Sequence, residues 1–155
     1  MNWNALAAIA TAVAAVAAAA GFLATVRQIK AAARQDRTEW EDELTHEYRQ
    51  IVKQLPLSVR LNEQMQDGDI EKFLSIFLDY FDLSNQQVFL RKIGRVSRDT
   101  WKEWRVGIRG ALHAGPFAAA WGMIKQRNPD LFAELKALEA AGFDADPAGW
   151  KRLSR

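Results

Sequence analysis

The stretch ALAAIATAVAAVAAAAGFLATV, residues 5–26, runs for 22 residues without a charge or a proline. As a helix rising roughly 1.5 Å per residue it spans about 33 Å. A bilayer hydrocarbon core of about 30 Å needs roughly 20 predominantly apolar residues. Twelve positions are alanine, and seven are strongly apolar: Leu6, Ile9, Val13, Val16, Phe22, Leu23 and Val26. Each of those seven favours insertion by roughly 0.3–0.6 kcal/mol, and a charge at the centre of such a helix costs about 2.5–3.5 kcal/mol. Insertion is therefore favourable but shallow. The run predicts an N-terminal transmembrane helix, marked by Ala5, Leu6, Ile9, Val13, Val16, Ala20, Leu23 and Val26. Two other readings compete. Ala18-Ala19-Ala20 imitates the cleavage site of a signal peptide, but a basic n-region is missing and the apolar run is too long. A buried alanine-rich helix is the other, since alanine also favours helix in water.

The flanks assign an orientation. Only Met1-Asn2-Trp3-Asn4 precedes the run, whereas Arg27, Lys30, Arg34 and Arg37 follow it against the single acid Asp36. Positive residues stay on the cytoplasmic side and an interfacial aromatic suits the position of Trp3. The expected location is a bacterial inner membrane, with the N-terminus outside and the remainder cytoplasmic. Leu6, Ile9, Val13, Val16 and Leu23 follow a 3-4 spacing, and alanine covers most of the other surface. Small residues let helices approach closely in lipid, so a homo-oligomer is expected as well as a bilayer partner.

Outside that run the chain is long enough for one small domain. A formal net charge of +2 does not by itself call for nucleic acid, and none is expected as a partner. The absence of cysteine excludes disulfides and thiolate chemistry. Two histidines, His46 and His113, form no familiar metal spacing, so neither a metal nor another cofactor is expected. Few prolines and long 3.6-period stretches predict an all-α chain: anchor 1–26, stalk helix 27–55, a helical domain 56–142 of about five helices, and a loose tail 143–155.

The stalk carries Ile29, Ala33, Trp40, Leu44, Tyr48, Ile51 and Leu55 on one face and runs unbroken to Pro56. Helices are then expected over 57–66, 70–93, 98–113, 117–126 and 130–141. Asp67-Gly68-Asp69 reads as a turn with Asp69 as a cap, Ser97 as the cap of the helix over 98–113, and Asn128-Pro129-Asp130 as the start of the last. In 70–93 the apolar face is Phe73, Leu74, Phe77, Leu78, Phe81 and Val88, with Asp79, Asp82 and Gln86 opposite. No histidine accompanies these carboxylates, so they read as a solvated face rather than an acid–base pair. No catalytic residue is assigned.

One charge feature stands out. Arg91, Lys92, Arg95, Arg98, Lys102, Arg105 and Arg109 face only Asp99 and Glu103 within the same segment. They form a candidate site for a phosphate-bearing ligand, or alternatively pair with the acids of the stalk.

The run Tyr80-Phe81-Asp82-Leu83-Ser84-Asn85, then Val88-Phe89-Leu90-Arg91-Lys92, Trp101-Lys102-Glu103-Trp104, Pro116-Phe117 and Trp121 resembles a family of uncharacterised bacterial domains. The resemblance implies a small helical domain carried behind one N-terminal membrane span, and it implies no catalytic residue. The expected function is a non-enzymatic, self-associating interaction module with a cytoplasmic protein partner, of a shape suited to a signalling or defence effector. The alternative is a membrane-tethered module that binds a phosphate-bearing ligand or nucleic acid through the basic segment 91–109.

Overall fold

Pro56 has no N–H to continue a helix and restricts the residue before it. The first helix, α1, accordingly runs Trp3–Gln54 and stops there. In the computed structural model the backbone is described for residues 3–152, and the side chains for 21–150 apart from 34, 36, 37 and 67. After α1 come α2 (Leu57–Arg60), α3 (Asp67–Lys72), α4 (Leu74–Lys92), α5 (Arg98–His113), α6 (Gly115–Arg127), α7 (Ala133–Ala140) and a 3-10 turn, Pro147–Arg152. The protein is all-α, and no strand occurs among the described residues.

The chain divides into two compact units, Met1–Glu39 and Trp40–Arg155. In the first, the expected span residues Ala5, Leu6, Ile9, Val13, Val16 and Ala20 lie outside the described side chains. Leu23 is exposed and Val26 half-buried. Among the described residues no helix is long and apolar enough to cross a membrane.

The second unit begins well before the expected boundary at Pro56. Leu44, Ile51 and Leu55 of α1 are buried in its core, so the end of the stalk face is part of the folded domain. The centre is α4. Phe77, Tyr80, Phe81, Leu83, Val88 and Leu90 are all buried on it, and it packs against α6, α7 and the terminal 3-10 turn. Trp101, Ile108 and Leu112 close the core from α5, and Ala120, Trp121 and Ile124 from α6. Full burial of each large apolar side chain stabilises by roughly 1.5–3 kcal/mol. Phe81 anchors the aromatic cluster, 5.0 Å from Trp121 and 6.4 Å from Phe132 between ring centres. The expected solvated residues Asp79, Asp82 and Gln86 are exposed.

Four local expectations change. The helix expected over 57–66 shrinks to one turn, because Leu57 and Leu61 are exposed and only Val59 is buried. Asn62, at φ 60°, then redirects the chain. Asp67-Gly68-Asp69 is the first turn of α3 rather than a loop, and Asp69 pairs with Lys72 inside it. The expected 70–93 helix is interrupted at Phe73, whose N–H turns to Ile70 O. The last helix starts at Ala133, not at the Asn-Pro-Asp signal. Phe132 sits before it in the left-handed region at φ 58°, where its ring packs 6.1 Å from Trp121.

Residues 143–150, expected to be loose, pack on the domain. Phe143 and Pro147 are buried and Trp150 is half-buried. Gly142 and Phe143, at φ 70° and 63°, turn the chain back after α7, and the Phe143 N–H donates to Leu138 O at 3.1 Å.

Candidate functional site

The seven basic residues between Arg91 and Arg109 do not converge on one open site. Arg91 is only 11% exposed and donates from Nε and Nη2 to the two carboxylate oxygens of Asp146, at 2.8 and 2.5 Å. Its Nη1 donates to Val96 O at 2.8 Å. This pair holds the Asp146 carboxyl below the usual carboxylate range, with the Ala148 N–H assisting. Lys92 pairs with Glu134 at 2.8 Å, and Lys102 with Asp99 at 2.8 Å. Arg105 donates to Asp144 O, and Arg109 lies 3.7 Å from the Asp144 carboxylate. Arg95 rests over the Trp40 ring at 5.9 Å. Arg98 is exposed and attracts Asp99 and Asp146 from a distance. The cations thus find acids, but at Asp99, Glu134, Asp144 and Asp146 rather than on the stalk. A part-buried bidentate pair such as Arg91–Asp146 is an orientation-specific, charge-assisted bond, and it leaves that guanidinium with little to offer a phosphate.

The stalk acid Glu41 does something else. Its carboxylate accepts from the Ser97 N–H at 2.5 Å and from the Thr100 hydroxyl at 2.6 Å. Ser97 caps α5 as expected, its hydroxyl accepting from the Thr100 N–H at 3.1 Å. A carboxylate at a helix N-terminus satisfies free N–H groups and complements the helix dipole. Glu41 therefore fixes α1 against the start of α5.

Between those two helices lies a cleft of about 290 Å3. Thr45 and Tyr48 of α1 form one side, and Glu103, Trp104, Gly107, Ile108 and Ala111 of α5 another. Tyr80 and Gln87 of α4, with Phe117 of α6, complete it. Tyr80 sits 6.2 Å from Tyr48 and 4.6 Å from Phe117 between ring centres. Burial, then the neighbouring Tyr48, pushes the Tyr80 phenol well above its ordinary pKa, so it stays a neutral donor. The Thr45 hydroxyl is already committed to Glu41 O at 2.8 Å. Gln87 is only 5% exposed and lines the cleft, but the sealed polar side-chain atoms without a partner among the described residues are Trp101 Nε1 and Trp121 Nε1, not its amide. Gly107 contributes open space, because a Cβ there would meet nothing within 4 Å.

Periodicity did not reveal this cleft. Its sequence signals are a polar Gln87 on a buried side of α4 and an interior helix glycine at 107, and each is weak alone. The aromatic residues that carry the family resemblance are mostly core: Tyr80, Phe81, Trp101 and Trp121 are buried. Among the described residues no three histidine or carboxylate side chains group as a metal site. Comparison with family models, with curated proteins and with solved structures finds no match for this chain.

Proposed function

We propose that this protein is a single-span membrane protein whose helical domain, Trp40 onward, is a non-enzymatic interaction module on the cytoplasmic face of a bacterial inner membrane. The observation that carries the reading is the uncharged run 5–26, followed at once by Arg27, Lys30, Arg34 and Arg37. Lipid tolerates a helix because its backbone bonds are internal. The polar Thr25 side chain fits that rule, since its hydroxyl donates to Gly21 O at 3.0 Å within the helix. Phe22 and Leu23 are exposed, as lipid-facing side chains would be. Twelve alanines permit close helix approach, and self-association through this segment is part of the proposal. The same architecture is what the resemblance to small bacterial membrane-anchored domains implies.

The test is alkaline-carbonate extraction of membranes from cells expressing the full chain, with crosslinking before extraction. The native chain is expected in the membrane pellet with a discrete crosslinked ladder. Val13→Lys places a charge costing about 2.5–3.5 kcal/mol at mid-span and is expected to release the protein. A native chain recovered wholly in the soluble fraction would overturn the anchor, and one that stays uncrosslinked in the pellet would overturn self-association alone.

A further inference from the structure

We propose that the cleft between α1, α4, α5 and α6 is a binding site for a small organic ammonium compound carrying an aryl or similarly apolar group. Four aromatic residues line it: Tyr48, Tyr80, Trp104 and Phe117. Its lining contains no lysine, arginine or histidine, and the only carboxylate in it belongs to Glu103, an exposed residue. Aromatic rings attract cations through their negative faces, and Glu103 adds charge of the same preference. An anion would meet repulsion with no compensating donor charge. The volume of about 290 Å3 is at the small end of the roughly 300–1,000 Å3 typical of ligand pockets. That suits one ring and a short chain.

Gln87 supplies a polar group for the same ligand. It is only 5% exposed and lines the cleft. A ligand that fills the cleft shields this amide from water and must match it with a hydrogen bond. Its carbonyl oxygen accepts from an ammonium N–H, while Glu103 accepts a second at the exposed edge. The apolar group then occupies the space left open beside Gly107. This site is independent of membrane anchoring, and the proposal stands or falls without it.

The experiment is isothermal titration calorimetry on the full chain with three probes of similar shape: 2-phenylethylammonium, 2-phenylethanol and 3-phenylpropionate. The ammonium probe is expected to bind roughly 3- to 10-fold more tightly than the alcohol, the partial exposure of Glu103 moderating the charge effect. The carboxylate is expected to bind weakest. Glu103→Gln is expected to reduce the ammonium-over-alcohol preference, leaving the part the rings supply, with the alcohol unchanged. Gly107→Leu, which fills the cleft, is expected to abolish binding of all three with the circular dichroism spectrum intact. If that variant does not fold, Gln87→Leu replaces it, with an expected loss of about 5-fold or more for the ammonium and alcohol probes alike. No saturable binding of the ammonium probe, equal binding of all three probes, or a preference that Glu103→Gln leaves wholly unchanged would overturn the proposal.

Discussion

Replacing Asp146 tests whether the C-terminal segment is held by its part-buried ion pair with Arg91. In Asp146→Ala the Arg91 guanidinium, 11% exposed, keeps only its bond to Val96 O. Stranding a fully buried charge costs about 3–5 kcal/mol. The Asp146 side chain is 41% exposed, so water already screens part of the pair, and the expected loss is discounted to about 2–3 kcal/mol. Arg91→Met is different, because it keeps the apolar stem and leaves a carboxylate that water can reach. Its expected cost is about 1–2 kcal/mol. The assay is urea denaturation of the single and double variants at pH 7, read as the coupling energy. A coupling of at least about 1 kcal/mol is expected between residues in one such network. The sign with pH follows from the lowered pKa of Asp146, caused first by its bonds to Arg91. A carboxyl depressed in the folded state stabilises fully above the unfolded value of about 3.9, and the contribution is lost as pH falls through the folded value. The gap between native protein and Asp146→Ala should be constant from about pH 7 to 5 and close below about pH 4. A gap under about 0.5 kcal/mol at pH 7, or one that widens in acid, would refute the reasoning, since surface substitutions lie within that range.

Asn85→Ala is expected to cost about 1–2 kcal/mol in urea denaturation, because its Oδ1 accepts from the Glu134 and Leu135 N–H groups at 3.0 and 3.1 Å and caps α7. Asn85→Asp keeps the acceptor and is expected to cost less than half as much. Glu41→Ala removes the acceptor for Ser97 and Thr100 and is expected to cost about 1–2 kcal/mol, with Glu41→Gln intermediate. Gly107→Ala meets no neighbouring atom within 4 Å and is expected to stabilise by about 0.5–1 kcal/mol through helix propensity. Gly115→Ala is expected to destabilise by about 1–2 kcal/mol in the same assay. Its φ is 67°, and a Cβ would fall 1.7 Å from Asn62 Oδ1, an exposed side chain that can swing aside.

The long helices were legible because their signals are local. Pro56 marks the end of α1, Ser97 caps α5, and the spacing of Trp101, Trp104, Ile108 and Leu112 marks its apolar stripe, of which all but the half-buried Trp104 are buried. The misjudged segments are those whose geometry is set from elsewhere. Asn128-Pro129-Asp130 is a sound capping signal, but Asn85 delivers the cap of α7 from α4, across 49 residues of sequence. Phe132 takes a left-handed backbone that a bulky residue avoids, and the contacts of its ring with Phe81 and Trp121 offset that cost. The tail read as loose because no periodic apolar run marks it. One buried Phe143 and one carboxylate, Asp146, suffice to fasten it. The basic segment was visible as charge, but sequence does not tell which acids face it. Its partners lie at 134, 144 and 146, beyond the reach of any helical spacing rule.

Glu41 links the legible part of the chain to the part that was not. It lies one helical turn before Thr45 and two before Tyr48 on α1, and residues four apart share a face. Both of those residues line the cleft. Its carboxylate grips the N-terminus of α5 through Ser97 and Thr100, and the same helix carries Glu103, Trp104 and Gly107 along the other side. Two helices joined by a charge-assisted cap at one end are held at a set separation there, so space persists where small residues follow. A large residue at 107 would take up part of that space. A helix-destabilising glycine, a nearly buried glutamine and a long-range cap converge on one cleft, and that convergence is the physical argument for proposing a small-molecule site there.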